Sequence, residues 1–142
     1  MQCDFAHMIS PEMFEEFVLP SIKEQCQYLD YSIYHLDGKG QIAHLDLLLS
    51  IKELNGIQWS VPVIPLDPPH DSPKWYPYFE RIQKAGKLLY IWAKPENVER
   101  LISDLSPRGL LIGTSCESED EVKELLHKVK KWSRRRTERT FF

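Results

Sequence analysis

The sequence predicts an α/β fold: half of a (β/α)8 barrel, about four parallel strands alternating with helices. Three observations lead there. Four short runs rich in β-branched, aromatic and aliphatic residues alternate with helical patterns, in the order α-β-α-β-α-β-α-β-α. Those runs are nearly continuously apolar, as strands of parallel sheets joined by right-handed helical crossovers are. The chain has 142 residues, where a complete barrel takes roughly 250. A flavodoxin-like open sheet fits the same order of elements. The half barrel is favoured because the chain enters its first helix after "MQCDFAHM", which reads as the end of a strand and its following loop. Such a sheet leaves exposed edges, so a partner that closes it is expected.

The elements follow in order. "SPEMFEEFVLPSIKEQCQYLD" opens with Ser10 as N-cap, Pro11 at the first helical position and acids in the first turn. Met13, Phe14, Phe17, Val18, Ile22 and Leu29 recur at helical spacing, and Pro20 is expected to kink or divide the helix. "YSIYHL" is the first strand, "QIAHLDLLLSIKEL" a helix with a strong apolar face, and "NGIQWSV" the second strand. "PVIPLDPPHDSPKW" holds five of the ten prolines and reads as an ordered surface excursion. "KWYPYFERIQKAGK" is a helix closing at Gly86, "LLYIWA" the third strand, and "PENVERLISDLSP" a helix with Pro95 at its start. "RGLLIGTS" is the fourth strand and "SEDEVKELLHKVKKW" the last helix, capped by Ser118. Residues 1–133 form one domain, and 134–142 a basic, flexible, solvated tail.

Composition narrows the function classes. With 42% hydrophobic and 27% charged residues and a net charge of -3, the chain is ordinary globular protein with no support for nucleic-acid binding. Cys3, Cys26 and Cys116 are an odd number at irregular spacing behind no secretory signal, so a reduced, cytoplasmic protein is expected. No apolar run approaches the roughly 18 residues of a membrane span, so the expected protein is soluble.

Sites in α/β folds lie at the carboxyl ends of parallel strands. The first strand delivers His35 and Asp37 there, the second Gln58, Trp59 and Ser60, and the third Trp92 and Lys94. The fourth delivers Thr114, Ser115, Cys116 and Glu117, and the segment before the first helix adds Cys3 and Asp4. His35 and Asp37 are two apart, so strand alternation puts both on one face. With Cys116 from another strand they make a candidate three-ligand zinc site with one open position. The alternatives are a turn at Asp37-Gly38, a hydrogen-bonded core histidine and a buried apolar cysteine. "HDSPKWYPY" offers His70, Asp71, Trp75, Tyr76 and Tyr78 as a lid or wall, while His44, Asp46 and His127 read as structural or solvated. "GLLIGTS" lacks a phosphate-loop pattern and no G-x-S-x-G is present.

"CDFAHMISPEMFEEFVLPSIKEQCQYLDYSIYHLDGKGQIAHLDLLLSIKELNGIQW", "IQKAGKLLYIW" and "PRGLLIGTSCES" resemble the C-terminal half of the uroporphyrinogen decarboxylase superfamily. It includes the heme-pathway decarboxylase and the zinc-dependent corrinoid or coenzyme M methyltransferases. The resemblance extends to about Trp132, with "YHLDG" its most specific part. It implies a (β/α)8 barrel and methyl transfer to or from a corrinoid, with zinc on His35, Cys116 and Asp37, the last standing where the methyltransferases have cysteine. Asp37, His35 and Asp4 would be the catalytic group and Trp59 a cofactor contact. The implied ligand or partner is a corrinoid protein or a tetrapyrrole. The decarboxylase branch, metal-free, binds its tetrapyrrole through an N-terminal half without counterpart in these residues. Hence the expectation of a homodimer, or of a separately encoded N-terminal half, and the alternative of a non-catalytic half barrel.

Overall fold

The computed structural model describes residues 1–60 and 68–139, with side chains through Arg134. Four strands form one sheet in the order β1 (Ile33–Asp37), β2 (Gly56–Ser60), β3 (Leu88–Trp92), β4 (Leu110–Gly113), every pair parallel. The helices are α1 (Pro11–Met13), α2 (Leu19–Tyr28), α3 (Gly38–Gln41), α4 (Leu45–Leu49), α5 (Tyr76–Lys84), α6 (Val98–Asp104) and α7 (Glu119–Arg139). The α/β class and the four parallel strands are as the sequence predicts. Among the described residues no helix is long and apolar enough to cross a membrane.

Alternation gives the sheet two unlike faces. Tyr34, Leu36, Ile57, Trp59, Leu89 and Ile91 are buried on the face the helices cover, beside Phe79, Ile82 and Leu101 of the core. The register aligns His35, Gln58, Tyr90 and Leu111 across the other face, where Trp92 and Leu111 are both 46% exposed. A sheet whose helices lie on one side, with an open second face, is the arrangement a half barrel requires. Met1 starts a further position beyond β1: its amino group donates to the Ile33 carbonyl at 3.0 Å, and its carbonyl accepts from the His35 N–H at 2.8 Å. This is a parallel bridge, in keeping with "MQCDFAHM" as a strand end followed by a loop, here a 3-10 turn at Asp4–Met8.

Several boundaries differ from the sequence reading. Pro20 divides the first helix as expected, through a π turn at Phe14–Val18 in which the Leu19 N–H bonds back to the Phe14 carbonyl. Pro20 has no N–H and its ring crowds the carbonyl four residues back; the wider turn relieves both. The helix expected over 41–54 stops at Leu49. Beyond it the Ile51 and Leu54 N–H groups bond only three residues back, to Leu48 and Ile51. The Asn55 and Gly56 N–H groups go to the Ser32 carbonyl as the chain enters β2, while the carbonyls of Ile51, Lys52 and Leu54 accept from the buried Lys87 ammonium. β1 reaches Asp37, one residue beyond the predicted run. α7 continues to Arg139 through the expected tail, since lysine and arginine are good helix formers favoured at a helix C-terminus. The first part of the proline-rich excursion, 61–67, lies outside the described residues.

Candidate functional site

The polar centre of the open face is a row of three side chains at the carboxyl ends of β1 and β2. His35 Nε2 lies 3.0 Å from Asp37 Oδ1, and its Nδ1 lies 3.1 Å from Gln58 Oε1. Side-chain alternation sets His35 and Asp37 on one face, and the in-register partner of His35 is Gln58. Asp37 makes no side-chain cap to the helix that follows, so its carboxylate serves the imidazole rather than the turn. The positive φ of 37° falls on Gly38, which lets the chain turn off the strand immediately after the pair. The neutral imidazole has a single N–H, the imidazolium two. Asp37 accepts in either state; the Gln58 amide presents oxygen to the imidazolium or, turned over, NH2 to the neutral ring. The row therefore holds the ring in place through a proton gain or loss.

Tyr90 lies across from Gln58 in the register, and its ring centroid is 6.5 Å from that of Trp92, one step further along the face. The Trp92 indole lies over Gly113, where a Cβ would come within 3.0 Å of it. Behind the pair, the buried Tyr34 hydroxyl donates to Gln41 Oε1 at 3.3 Å, and burial, above all, drives its pKa upward. The described end of the proline-rich loop is fastened beside the site. Asp71 is buried, and its Oδ2 accepts from the Lys94 N–H and from Asn97 Nδ2, both at 3.0 Å, while the Trp75 indole donates to the Pro69 carbonyl at 3.1 Å. This strap carries His70 toward the row. Burial lowers the His70 pKa; the charge of Asp71 opposes the shift, and that of His35 adds to it.

The structure brings together His35 and Asp37 and leaves the other expected members elsewhere. Cys116 follows β4, three strand spacings or about 14 Å along the sheet from β1. It lines a cleft of about 400 Å³ with Glu96, Glu99, Glu121 and Trp132. Among the described residues no group of three or more His, Cys, Asp or Glu side chains is placed to hold a metal ion. Both ring nitrogens of His35 already have partners and Cys116 lies in a different cleft, so these residues do not fit a three-ligand zinc site. Trp59, expected as a cofactor contact, is fully buried on the helix-covered side, with Trp75, Tyr78 and Phe79 around it. The correction follows from register: Trp59 pairs with Leu36, so it shares the face of Leu36 and not that of His35. Asp4 is exposed on the 3-10 turn, where its carboxylate accepts from Gln2 Nε2 at 3.0 Å.

The sequence marks Gln58 only as a strand-end residue, and neither its pairing with His35 nor the place of Tyr90 is among the expectations above. The available signal was the period of two: counting back from Asp37 and Ser60 marks His35 with Gln58, and Trp92 with Tyr90. Family models, curated proteins and solved structures were all compared with the chain, and none matches.

Proposed function

We propose that the chain is a half barrel of the uroporphyrinogen decarboxylase and corrinoid methyltransferase type, whose open face receives a flat tetrapyrrole-like ring and whose His35–Asp37 pair handles a proton there. The observation that carries this reading is the Asp37–His35–Gln58 row at the strand ends, beside the partly buried Tyr90 and the half-exposed Trp92. The two aromatic side chains offer a flat apolar surface for a ring. The sequence likeness of "YHLDG" and the flanking segments supports the family assignment.

A corrinoid, when bound, would supply the methyl group. The part of this chain is to take the proton from the acceptor, a thiol by the same likeness. Neutral His35 accepts that proton at Nδ1 once the thiol displaces the Gln58 amide there, while Asp37, bonded at Nε2, stabilises the imidazolium. Tyr90 and Trp92 exclude water from one side of the ring. The distance of Cys116 from the His35–Asp37 pair favours, as a second reading, the decarboxylase branch of the same superfamily. There the imidazolium, its Nδ1–H released by Gln58 to the substrate, would deliver that proton to the carbon left as a carboxylate departs as CO2, and Asp37 at Nε2 would hold the neutral ring afterwards.

Hydroxocobalamin and uroporphyrin are the probes. Titrating either into the protein is expected to shift the ligand's visible absorbance and quench tryptophan fluorescence. Trp92→Ala should weaken binding about tenfold, the equivalent of about 1.4 kcal/mol of stacking. Unchanged spectra and fluorescence with both rings would overturn the reading.

A further inference from the structure

The helix-covered side of the sheet is closed less completely at β4 than elsewhere. On β1 to β3 the residues that face the helices, Tyr34, Leu36, Ile57, Trp59, Leu89 and Ile91, have no exposure. Leu110 and Ile112 stand in register with Leu89 and Ile91 on the same side, yet both are only partly buried. The reason lies in α7, which packs chiefly on α6 and leaves a gap over the edge strand. The gap is a cavity of about 220 Å³, walled by Val98 and Ile102 of α6 and by Leu125 and Val129 of α7. Ile112 lines it from β4, with Thr114 two residues further along the same face.

Charge, polarity and size together select a ligand. None of the lining side chains is charged, so a charged molecule would lose its hydration there without a counter-charge. Thr114 Oγ1 is buried at this cavity and has no hydrogen-bond partner among the described residues. A buried hydroxyl without a partner is costly, and an oxygen on a bound molecule relieves that cost. A hydroxyl both donates and accepts, so an alcohol, phenol or carbonyl oxygen can serve. An aliphatic cavity of roughly 150 Å³ takes benzene, so on that scale this one takes roughly nine non-hydrogen atoms. A rigid ring gives up less conformational freedom on entering than a flexible chain of the same size.

We propose that the cavity between α6, β4 and α7 is a binding site for a small uncharged ring compound bearing one oxygen, of the phenol or cyclic alcohol class. The oxygen bonds to Thr114 Oγ1, and the ring lies among Ile102, Ile112, Leu125 and Val129. Leu126 also lines the cavity and is 55% exposed, so the ligand enters past a side chain at the surface. The site lies on the opposite side of the sheet from His35 and Trp92, because Ile112 pairs with Ile91 and Gly113 with Trp92. It is therefore independent of what the open face binds.

The probe is 4-ethylphenol, which has the required size, and the control is 4-ethyltoluene, in which a methyl group replaces the hydroxyl. Calorimetric titration of the full chain is expected to give 4-ethylphenol a dissociation constant on the order of 0.1 mM. The methyl NMR signals of Ile112, Thr114, Leu125 and Val129 should move, and that of Leu36 at the far end of the sheet should stay. Thr114→Val keeps the shape, removes the unpaired hydroxyl and should fold as the parent does. It should weaken 4-ethylphenol about tenfold, the value of one hydrogen bond, and leave 4-ethyltoluene within about twofold. Val129→Phe fills the cavity and should abolish binding of both, with an unchanged circular dichroism spectrum. No binding of 4-ethylphenol at about 1 mM overturns the proposal. So does binding that Thr114→Val leaves unchanged, that survives Val129→Phe, or that moves only signals of the open face.

Discussion

Replacing Lys87 by methionine tests the least expected contact of the fold. Lys87 is 9% exposed, and its ammonium donates to the carbonyls of Ile51 at 2.6 Å, Leu54 at 2.7 Å and Lys52 at 3.3 Å. Methionine fills nearly the same volume but leaves the first two carbonyls without that donor. A hydrogen bond to a charged group contributes about 1.5–3 kcal/mol, and a stranded buried acceptor costs about 1–3 kcal/mol. Against this stands the cost of burying the ammonium, which methionine avoids. The balance is a loss of about 2–4 kcal/mol, or about 6–14 °C in Tm for a chain of this size. Urea unfolding and a thermal melt measure it.

The pH dependence has a definite sign. Burial, the main cause, lowers the Lys87 pKa below 10.5, with Glu53 and Cys26 opposing the shift. Between the folded and unfolded pKa values the unfolded chain holds more proton at this residue. Its contribution to stability therefore improves as pH rises through that window, and below the window the cost is fully present. Lys87→Met should remove this rise. A variant as stable as the parent, or one that keeps the alkaline rise, would refute the reasoning.

Two further substitutions probe the surroundings of the site. Asp71→Ala removes the acceptor of the Lys94 N–H and of Asn97; a loss of about 2–4 kcal/mol is expected, with faster hydrogen exchange at the Lys94 amide. Equal protection in both proteins would show that the strap does not depend on Asp71. Gly113→Val places a Cβ within 3.0 Å of the Trp92 indole and 3.2 Å of the Tyr90 ring; displacing Trp92 should cost about 1–3 kcal/mol and move the tryptophan emission. An unaltered emission spectrum would place the indole elsewhere.

The linear pattern carried most of the architecture. Alternation of β-rich runs with helical periodicity sufficed to name four parallel strands in order, because both signals are local and repeat along each element. Placing His35 and Asp37 on one face followed from the same period of two, since Cβ direction in a strand depends on count alone. Helix ends were read less well. Past Leu49 the chain is held by distant partners, the Ser32 carbonyl for the Asn55 and Gly56 N–H groups and the Lys87 ammonium, 36 residues on, for the Ile51 carbonyl, and no local signal announces them.

What the sequence determined by itself, then, is the α/β order, the parallel sheet and the His35–Asp37 pair. Only the tertiary structure decided which residues meet that pair. It set Gln58 against His35 through inter-strand register, sent Trp59 to the core with Leu36, and put Cys116 three strands away, beside α6 and α7. The reason is physical. Side-chain direction within a strand is set by backbone geometry over a few residues, whereas the distance between strands is set by the packing of the whole sheet.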